Sequence, residues 1–269
     1  VRAYETADGP AIFKLEKHTE RLFNSARILG MGIPFDADTL NQAQREVVTK
    51  NNLNSAYIRP MCFYGSEGMG LRADNLKVHV MIAAWEWGSY LGEDNMKNGI
   101  RIRTSSYIRH FAHPSLSGAK MNGNYINSMM ALKEAQDHGF DEALMLDVEG
   151  FVSEGSGENI FVIKDEVIYT PHLTSALPGI TRDTIFTLAK SLGYKIVEKK
   201  ISCDDIYSAD EAFFTGTAAE VTPIRDLDGN QIGIGSRGLI TEKLQSLYFD
   251  CVHGRNDEYL HWIESGRCS

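Results

Sequence analysis

The chain has 269 residues, 43% of them apolar and 23% charged, with a formal net charge of −9. That length allows one large domain or two small ones, and the composition excludes a disordered, collagenous or wholly coiled-coil chain. The acidic balance argues against a general nucleic-acid binder, and the longest apolar run, Val80–Trp85, is far short of the ~20 residues that span a bilayer. Leu15, Leu22, Ala26 and Leu29 recur at helical spacing, which predicts a helix over Leu15–Leu29 stopped by Gly30. Asp36-Ala-Asp-Thr opens a second helix reaching about Asn51. Ser55–Tyr64 and Leu76–Trp85 read as strands around the glycine-rich Gly65–Leu71. Trp87–Gly99 reads as a surface connection. Beyond it, Ile100–Ser106 is a predicted strand and Asn124–His138 a helix stopped by Gly139. Ala143–Val148 and Phe151–Ser153 should pair across Glu149-Gly150, followed by strands Asn159–Lys164 and Glu211–Thr215. Pro178-Gly179 precedes a helix over Thr181–Leu192, closed by Gly193.

This order predicts an α+β chain with mixed or antiparallel sheets. A small α/β unit occupies residues 1–86, a connection 87–99, and a larger domain 100–269. Strands arrive in hairpins rather than in βαβ alternation, which disfavours a doubly wound fold. The first residues, VRAYETADG, lack a basic stretch followed by an apolar one, so no signal peptide is expected. Cys62, Cys203, Cys251 and Cys268 have neither zinc-ligand nor disulfide-framework spacing, which points to a reducing cytoplasm.

Five features carry possible chemistry. Lys120 sits in Ser117-Gly-Ala-Lys-Met-Asn-Gly-Asn-Tyr125, and no other charged side chain lies between Arg109 and Lys133. A lysine among such neighbours is expected to be partly desolvated, which lowers an amine's pKa toward what a Schiff-base lysine needs. A surface loop lysine has the same look. Glu154 leaves a strand into Gly-Ser-Gly, where it either meets a ligand or stands in water as a hairpin acid. Ser175-Ala-Leu-Pro-Gly-Ile-Thr181 brings free N–H groups to a helix start, suited to phosphate or merely to capping. Thr215-Gly-Thr-Ala-Ala-Glu-Val221 offers further anion donors. In Ala56-Tyr-Ile-Arg-Pro60, Tyr57 and Arg59 share one strand face. A half-buried Arg59 needs a carboxylate, from a ligand or from within. An amine, an acid, two anion-binding turns and an arginine-bearing strand together suit pyridoxal phosphate.

In this order, those motifs make the chain resemble the bacterial branched-chain-amino-acid aminotransferases of the class IV pyridoxal-phosphate family. The resemblance runs from Arg2 to about Phe249. It rests on Ala56-Tyr-Ile-Arg-Pro60, Gly68-Met-Gly-Leu71, Gly118-Ala-Lys-Met-Asn-Gly-Asn-Tyr125, Ser153-Glu-Gly-Ser-Gly-Glu-Asn159, Ala176-Leu-Pro-Gly-Ile-Thr-Arg182 and Gly216-Thr-Ala-Ala-Glu220. It implies a two-domain fold-type-IV enzyme whose larger domain is a pseudo-barrel. Lys120 would hold pyridoxal 5'-phosphate as a Schiff base, Tyr125 would meet the ring O3′, and Glu154 the ring nitrogen. Arg21, Ile180, Thr181 and Thr217 would hold the phosphate. Tyr57 with the N–H groups of Thr217 and Ala218 would take the substrate α-carboxylate, and Arg59 the side-chain carboxylate of glutamate. Leu71, Trp87 and Tyr90 would line the pocket.

The reaction so implied transfers the amino group of leucine, isoleucine or valine to 2-oxoglutarate. The partners are small amino acids and 2-oxo acids, with no metal, nucleic acid or membrane. At least a homodimer is implied, with pocket residues crossing the interface. Family members carry a preceding G-x-x-x-F-E-G-x-R segment, of which Val1-Arg2 is the part visible here, so the sequence is expected to be truncated and to lack an aromatic pocket wall. D-amino-acid aminotransferases and aminodeoxychorismate lyases share the lysine and glutamate, but Tyr57-Ile-Arg59 and Gly68-Met-Gly favour the branched-chain pattern. A non-catalytic anion-binding protein would give Lys120 and Glu154 no joint role.

Overall fold

The computed structural model describes residues 1–88, 91–92, 94–111 and 118–265. The chain divides into two compact units, Val1–Trp87 with the segment from Asp250 on, and Gly88–Phe249.

The first unit holds a five-stranded antiparallel sheet. Its strands are β1 (Arg2–Thr6), β2 (Gly9–Phe13), β3 (Ala56–Tyr64), β4 (Val78–Trp85) and β14 (Ile263–Ser265), in the order β14-β2-β1-β3-β4. Two helices accompany it, α1 (Leu15–Ile28) and α2 (Ala37–Lys50). The Asp36 carboxylate caps α2 by accepting the Thr39 N–H at 2.8 Å, satisfying a donor the helix cannot. Val1, Ala3, Ile12, Leu15, Val48, Ala56 and Ile58 form the core of this unit. Buried Thr19 donates to Asn41 at 2.6 Å and accepts from Gln44 at 2.9 Å, so α1 and α2 are joined by buried hydrogen bonds as well as by packing.

The sequence reading ends this unit at residue 86 and assigns the tail to the second domain. The tail instead adds β14 to the free edge of β2, with Lys14 N–H donating to the Trp262 carbonyl at 2.7 Å and Arg45 pairing with Glu264 at 2.5 Å. An edge strand presents unpaired backbone groups, and a distant segment satisfies them here. The hairpin β1–β2 is likewise absent from the sequence reading.

The second unit is built on a nine-stranded mixed sheet. It contains β5 (Ile100–Thr104), β6 (Glu142–Leu146), β7 (Val152–Gly155), β8 (Asn159–Lys164), β9 (Val167–Thr170), β10 (Lys195–Glu198), β11 (Glu211–Gly216), β12 (Glu220–Leu227) and β13 (Asn230–Gln231). The order is β10-β9-β8-β11-β12-β5-β6-β7, with β13 on β12. β5 runs parallel to β6 and β12, β9 parallel to β10, and the remaining pairs are antiparallel. β7 ends the path, yet a tight turn joins it to β8 in the path's interior, with Gly155 N–H donating to the Glu158 carbonyl at 2.7 Å. The sheet therefore curls back on itself. Its apolar core includes Ile100, Ile102, Leu144, Ile160, Val162, Phe214 and Ile224. The helices are α3 (Asn95–Asn98), α4 (Tyr125–Asp137), α5 (Ile180–Ser191), α6 (Cys203–Tyr207) and α7 (Leu239–Val252). The predicted connection 87–99 thus contains one helical turn.

Phe214 is fully buried in that core. Truncation to alanine should leave a cavity costing about 3–5 kcal/mol. A urea titration would read this as a lowered midpoint. An unchanged midpoint would mean that the core collapses around the gap.

Candidate active site

Lys120 lies just before α4. Met121 N–H donates to the Ala119 carbonyl at 2.9 Å, a 3₁₀ turn over Asn122–Asn124 follows, and Tyr125 begins the helix. This places Tyr125 beside the lysine. Lys120 Nζ donates to Tyr125 Oη and lies 5.1 Å from the centre of its ring. Ala119 is buried, but Lys120 is exposed, contrary to the desolvation expected from its uncharged neighbours. Small residues flank it without covering it.

Glu154 is no hairpin acid in water. It is 3% exposed on β7 and accepts three sets of donors. Arg109 pairs with Oε1 at 2.7 Å, while Leu177 N–H and Asn159 Nδ2 donate to Oε2 at 3.0 and 3.2 Å. Burial pushes its carboxyl above the usual range, and Arg109, the Leu177 N–H and Lys120 pull it back. The sequence reading misses Arg109. Its backbone N–H is fixed to the Leu146 carbonyl at 2.8 Å, and Glu134 holds the preceding Ser105 and Ser106 hydroxyls at 2.6 and 2.5 Å. The only available signal is its position at the edge of the charge-free stretch.

Replacing Arg109 with Met leaves Glu154 buried without its cation. The folded-state carboxyl then rises further above its unfolded value, so the cost is absent at low pH and grows as pH rises through the carboxylate range. Breaking a buried pair from one side costs about 3–5 kcal/mol. Thermal unfolding should therefore show a deficit at pH 8 that shrinks toward pH 5. A deficit independent of pH would mean that Arg109 acts through packing alone.

Three turns meet around Glu154. Asn159 Nδ2 also donates to the Leu177 carbonyl at 2.9 Å, tying the approach to α5 to the same acid. Gly179 then passes so close that a Cβ there would stand 2.0 Å from Asn159 Oδ1, which only glycine allows. α5 begins with Ile180 and Thr181, and no side chain caps it. Thr217 and Ala218 form the turn between β11 and β12. That turn follows Gly216, whose Cβ would lie 3.6 Å from the Gly157 carbonyl. An open cleft is lined by Lys120, Tyr125, Glu154, Arg109, Ser156 and Gly157, among others. Ile180, Thr181, Thr217 and Ala218 are not among its lining residues.

The other predicted residues belong to the first unit. Tyr57 and Arg59 share a face of β3, and the Tyr57 ring packs against Trp85 at 5.3 Å and Trp87 at 4.8 Å. Arg59 is exposed rather than half-buried, and its guanidinium stands 5.5 and 5.6 Å from the Tyr57 and Trp85 rings. Among the described residues it has no carboxylate partner, because aromatic faces support it instead. Arg21 lies on α1, with Nη2 3.3 Å from His18 Nδ1. Leu71 is fully exposed in the β3–β4 connection. Tyr90 lies outside the described residues.

A lysine amine and a buried carboxylate facing one cleft, on a curled mixed sheet, define an enzyme site built for an amine-binding cofactor. The sequence profile of the class IV amino-transferases matches residues 2–227. A branched-chain-amino-acid aminotransferase of Pseudomonas aeruginosa is 62% identical over 97% of this chain and 85% of its own. Among solved structures, the Escherichia coli branched-chain amino acid aminotransferase superposes with a TM-score of 0.96 at 42% identity, covering 99% of this chain and 88% of that one. The Thermobaculum terrenum branched-chain amino acid aminotransferase in its PLP form gives 0.94 at 31% identity, with the same coverage of both chains. This chain belongs to the class IV aminotransferases.

Pyridoxal phosphate, the cofactor of that family, fits the residues present. The cleft supplies a lysine amine, a tyrosine hydroxyl and an acid held by its own cation. The uncapped start of α5 leaves backbone donors for a phosphate, and Arg109 Nε is buried without a partner.

Proposed function

We infer that the chain transfers the amino group of leucine, isoleucine or valine to 2-oxoglutarate, giving branched 2-oxo acids and glutamate. The observation that carries this reading is Lys120 and Glu154 lining one cleft, with Tyr125 hydrogen-bonded to the lysine. Identity to enzymes of that name supports the choice of substrate. When bound, pyridoxal phosphate supplies an electrophilic carbon for the amine and a ring that takes up the electron pair left at Cα.

Lys120 Nζ holds the cofactor and then moves the proton at the substrate's Cα. Tyr125 Oη orients that amine and meets the ring oxygen. Glu154, kept anionic by Arg109 and two N–H donors, keeps a proton on the ring nitrogen. Ile180, Thr181, Thr217 and Arg21 take the phosphate. Tyr57, Thr217 and Ala218 take the α-carboxylate, while Leu71, Trp87 and Tyr90 shape the pocket. Loading the full chain with pyridoxal phosphate, reducing it with borohydride and mapping the modified lysine tests the assignment. Glutamate should then form from leucine and 2-oxoglutarate. Turnover of D-alanine without L-leucine would move the chain to the D-amino-acid branch.

Arg59 is the residue for dual recognition. Glutamate has a second carboxylate and the aliphatic substrates do not. Arg59 is exposed in the single chain, and once substrate and a second copy shield it from water a charge-assisted pair there contributes roughly 1.5–3 kcal/mol. Arg59→Leu should lower kcat/KM for glutamate by about tenfold or more, and leucine's much less, in half-reactions measured separately. Equal losses would make Arg59 an α-carboxylate anchor or a structural residue.

We also propose a cytoplasmic homo-oligomer. No helix among the described residues is long and apolar enough to cross a membrane. Ile126, Met129 and Met130 expose one face of α4, and Met69 and Leu71 stand fully exposed. Such surface is commonly covered by a partner, here a second copy that receives Leu71 in its pocket. Light scattering should give at least twice the chain mass, and a monomer would refute this.

A further inference from the structure

Two acids inside the curl of the second sheet serve no step above. Glu142 opens β6 and is 0% exposed, and Glu158 ends the β7–β8 turn and is 5% exposed. Glu142 shares a strand face with Leu144 of the apolar core. Glu158 Cγ lies where a Cβ on Gly216 would be 3.6 Å away, two residues along β11 from core Phe214. Glu142 Oε1 accepts the Ala143 N–H at 2.7 Å, but its Oε2 is buried with no hydrogen-bond partner. Glu158 Oε2 accepts the Gly157 N–H at 3.0 Å. Ser156, in the same turn, faces Glu142.

Among the described residues neither acid has an ion-pair partner, because Arg109 is committed to Glu154. The charged groups acting on the pair are Asp141 beside β6, Glu154 on β7, and Lys120. Across from it β11 presents Phe214 and Gly216, which carry no charge.

We propose that Glu142 and Glu158 hold one proton between them and act as positioning acids for Glu154. The turn from Gly155 to Glu158 then carries one buried negative charge instead of two, and Glu154 remains the ionised acid facing the ring. Two carboxylates buried together cannot both ionise near neutrality without a cation. Burial pushes Glu142 up to about 7, and burial with repulsion from Glu142 pushes Glu158 well above the usual range. Protonation also lowers the cost of burying Glu142 Oε2, because a neutral carboxyl without a partner loses far less hydration than an anionic one. Glu158 meanwhile pins the turn through the Gly157 N–H and through its carbonyl to Gly155.

The effect on the cofactor rests on the site assignment above, and the shared proton does not. Carbon-13 NMR of the full chain with labelled glutamate carboxyls tests the proton directly. Both carbons should move together in two steps, the later one above about pH 7. Independent titrations finished by about pH 5 would overturn the shared proton, whatever the chain's activity. In the cofactor-loaded protein, the double variant Glu142→Gln with Glu158→Gln removes the single negative charge that the pair carries. The pH midpoint of the cofactor's visible absorption should fall by about one unit, because less negative charge supports the proton on the Lys120 nitrogen. An unchanged midpoint in the folded double variant would confine the pair to holding the turn and overturn the positioning role.

Discussion

Lys120→Ala is expected to abolish transamination and the borohydride-stable attachment of the cofactor together. Among the described residues the lysine is the one amine lining the cleft that faces Glu154, and its Nζ is held by Tyr125 Oη. Removing a positioned proton carrier costs about 10²–10⁴-fold by itself, and loss of the covalent anchor adds to that. The substitution should fold, because the side chain is exposed and Ala119 rather than Lys120 is packed. Stopped-flow absorbance with leucine and mass spectrometry after reduction read the two losses separately. A variant that still turned over, with the cofactor fixed at another lysine, would place the amine elsewhere.

Glu154→Gln should slow the half-reaction with leucine by about 10²–10³-fold, the scale of losing one preorganised electrostatic partner. The amide oxygen can keep the Leu177 N–H and Asn159 Nδ2 bonds. The amide nitrogen then faces Arg109, donor against donor, where an ion pair of 2.7 Å stood. The ring nitrogen loses its acid, and a buried arginine loses its counter-charge. A double variant, Glu154→Gln with Arg109→Met, removes the second problem without mending the first. It should recover thermal stability while remaining slow. A single variant with a near-normal half-reaction would return Glu154 to a structural role.

Much of the site is legible in the sequence because its parts are local. Glycine and small residues mark turns, and a turn fixes what its neighbours present. The 117–125 segment, the Gly155–Glu158 turn and the start of α5 are found in this way. Exposure is not legible. Lys120 is expected to be partly desolvated and is exposed, while Glu154 could equally have stood in water and is buried. A residue's own neighbours in sequence say little about what folds over it.

The sequence by itself determined the elements and the chemistry they carry: α1, α4 and α5 with their glycine stops, α2 with its Asp36 start, the strands β3 to β8, and the lysine, tyrosine and acid in their order. Helical periodicity, capping and turn chemistry act over a few residues and leave a local trace. Only the tertiary structure decided the rest. Arg109 and Glu154 are 45 positions apart in sequence and meet because β6 and β7 pair antiparallel, with Arg109 anchored to the end of β6. β14 closes the first sheet from the far end of the chain. Glu142 and Glu158 become a pair only when the sheet curls. Sheet register and closure join residues remote in sequence, and the free energy of burying a charge depends on that closure and not on the residues beside it.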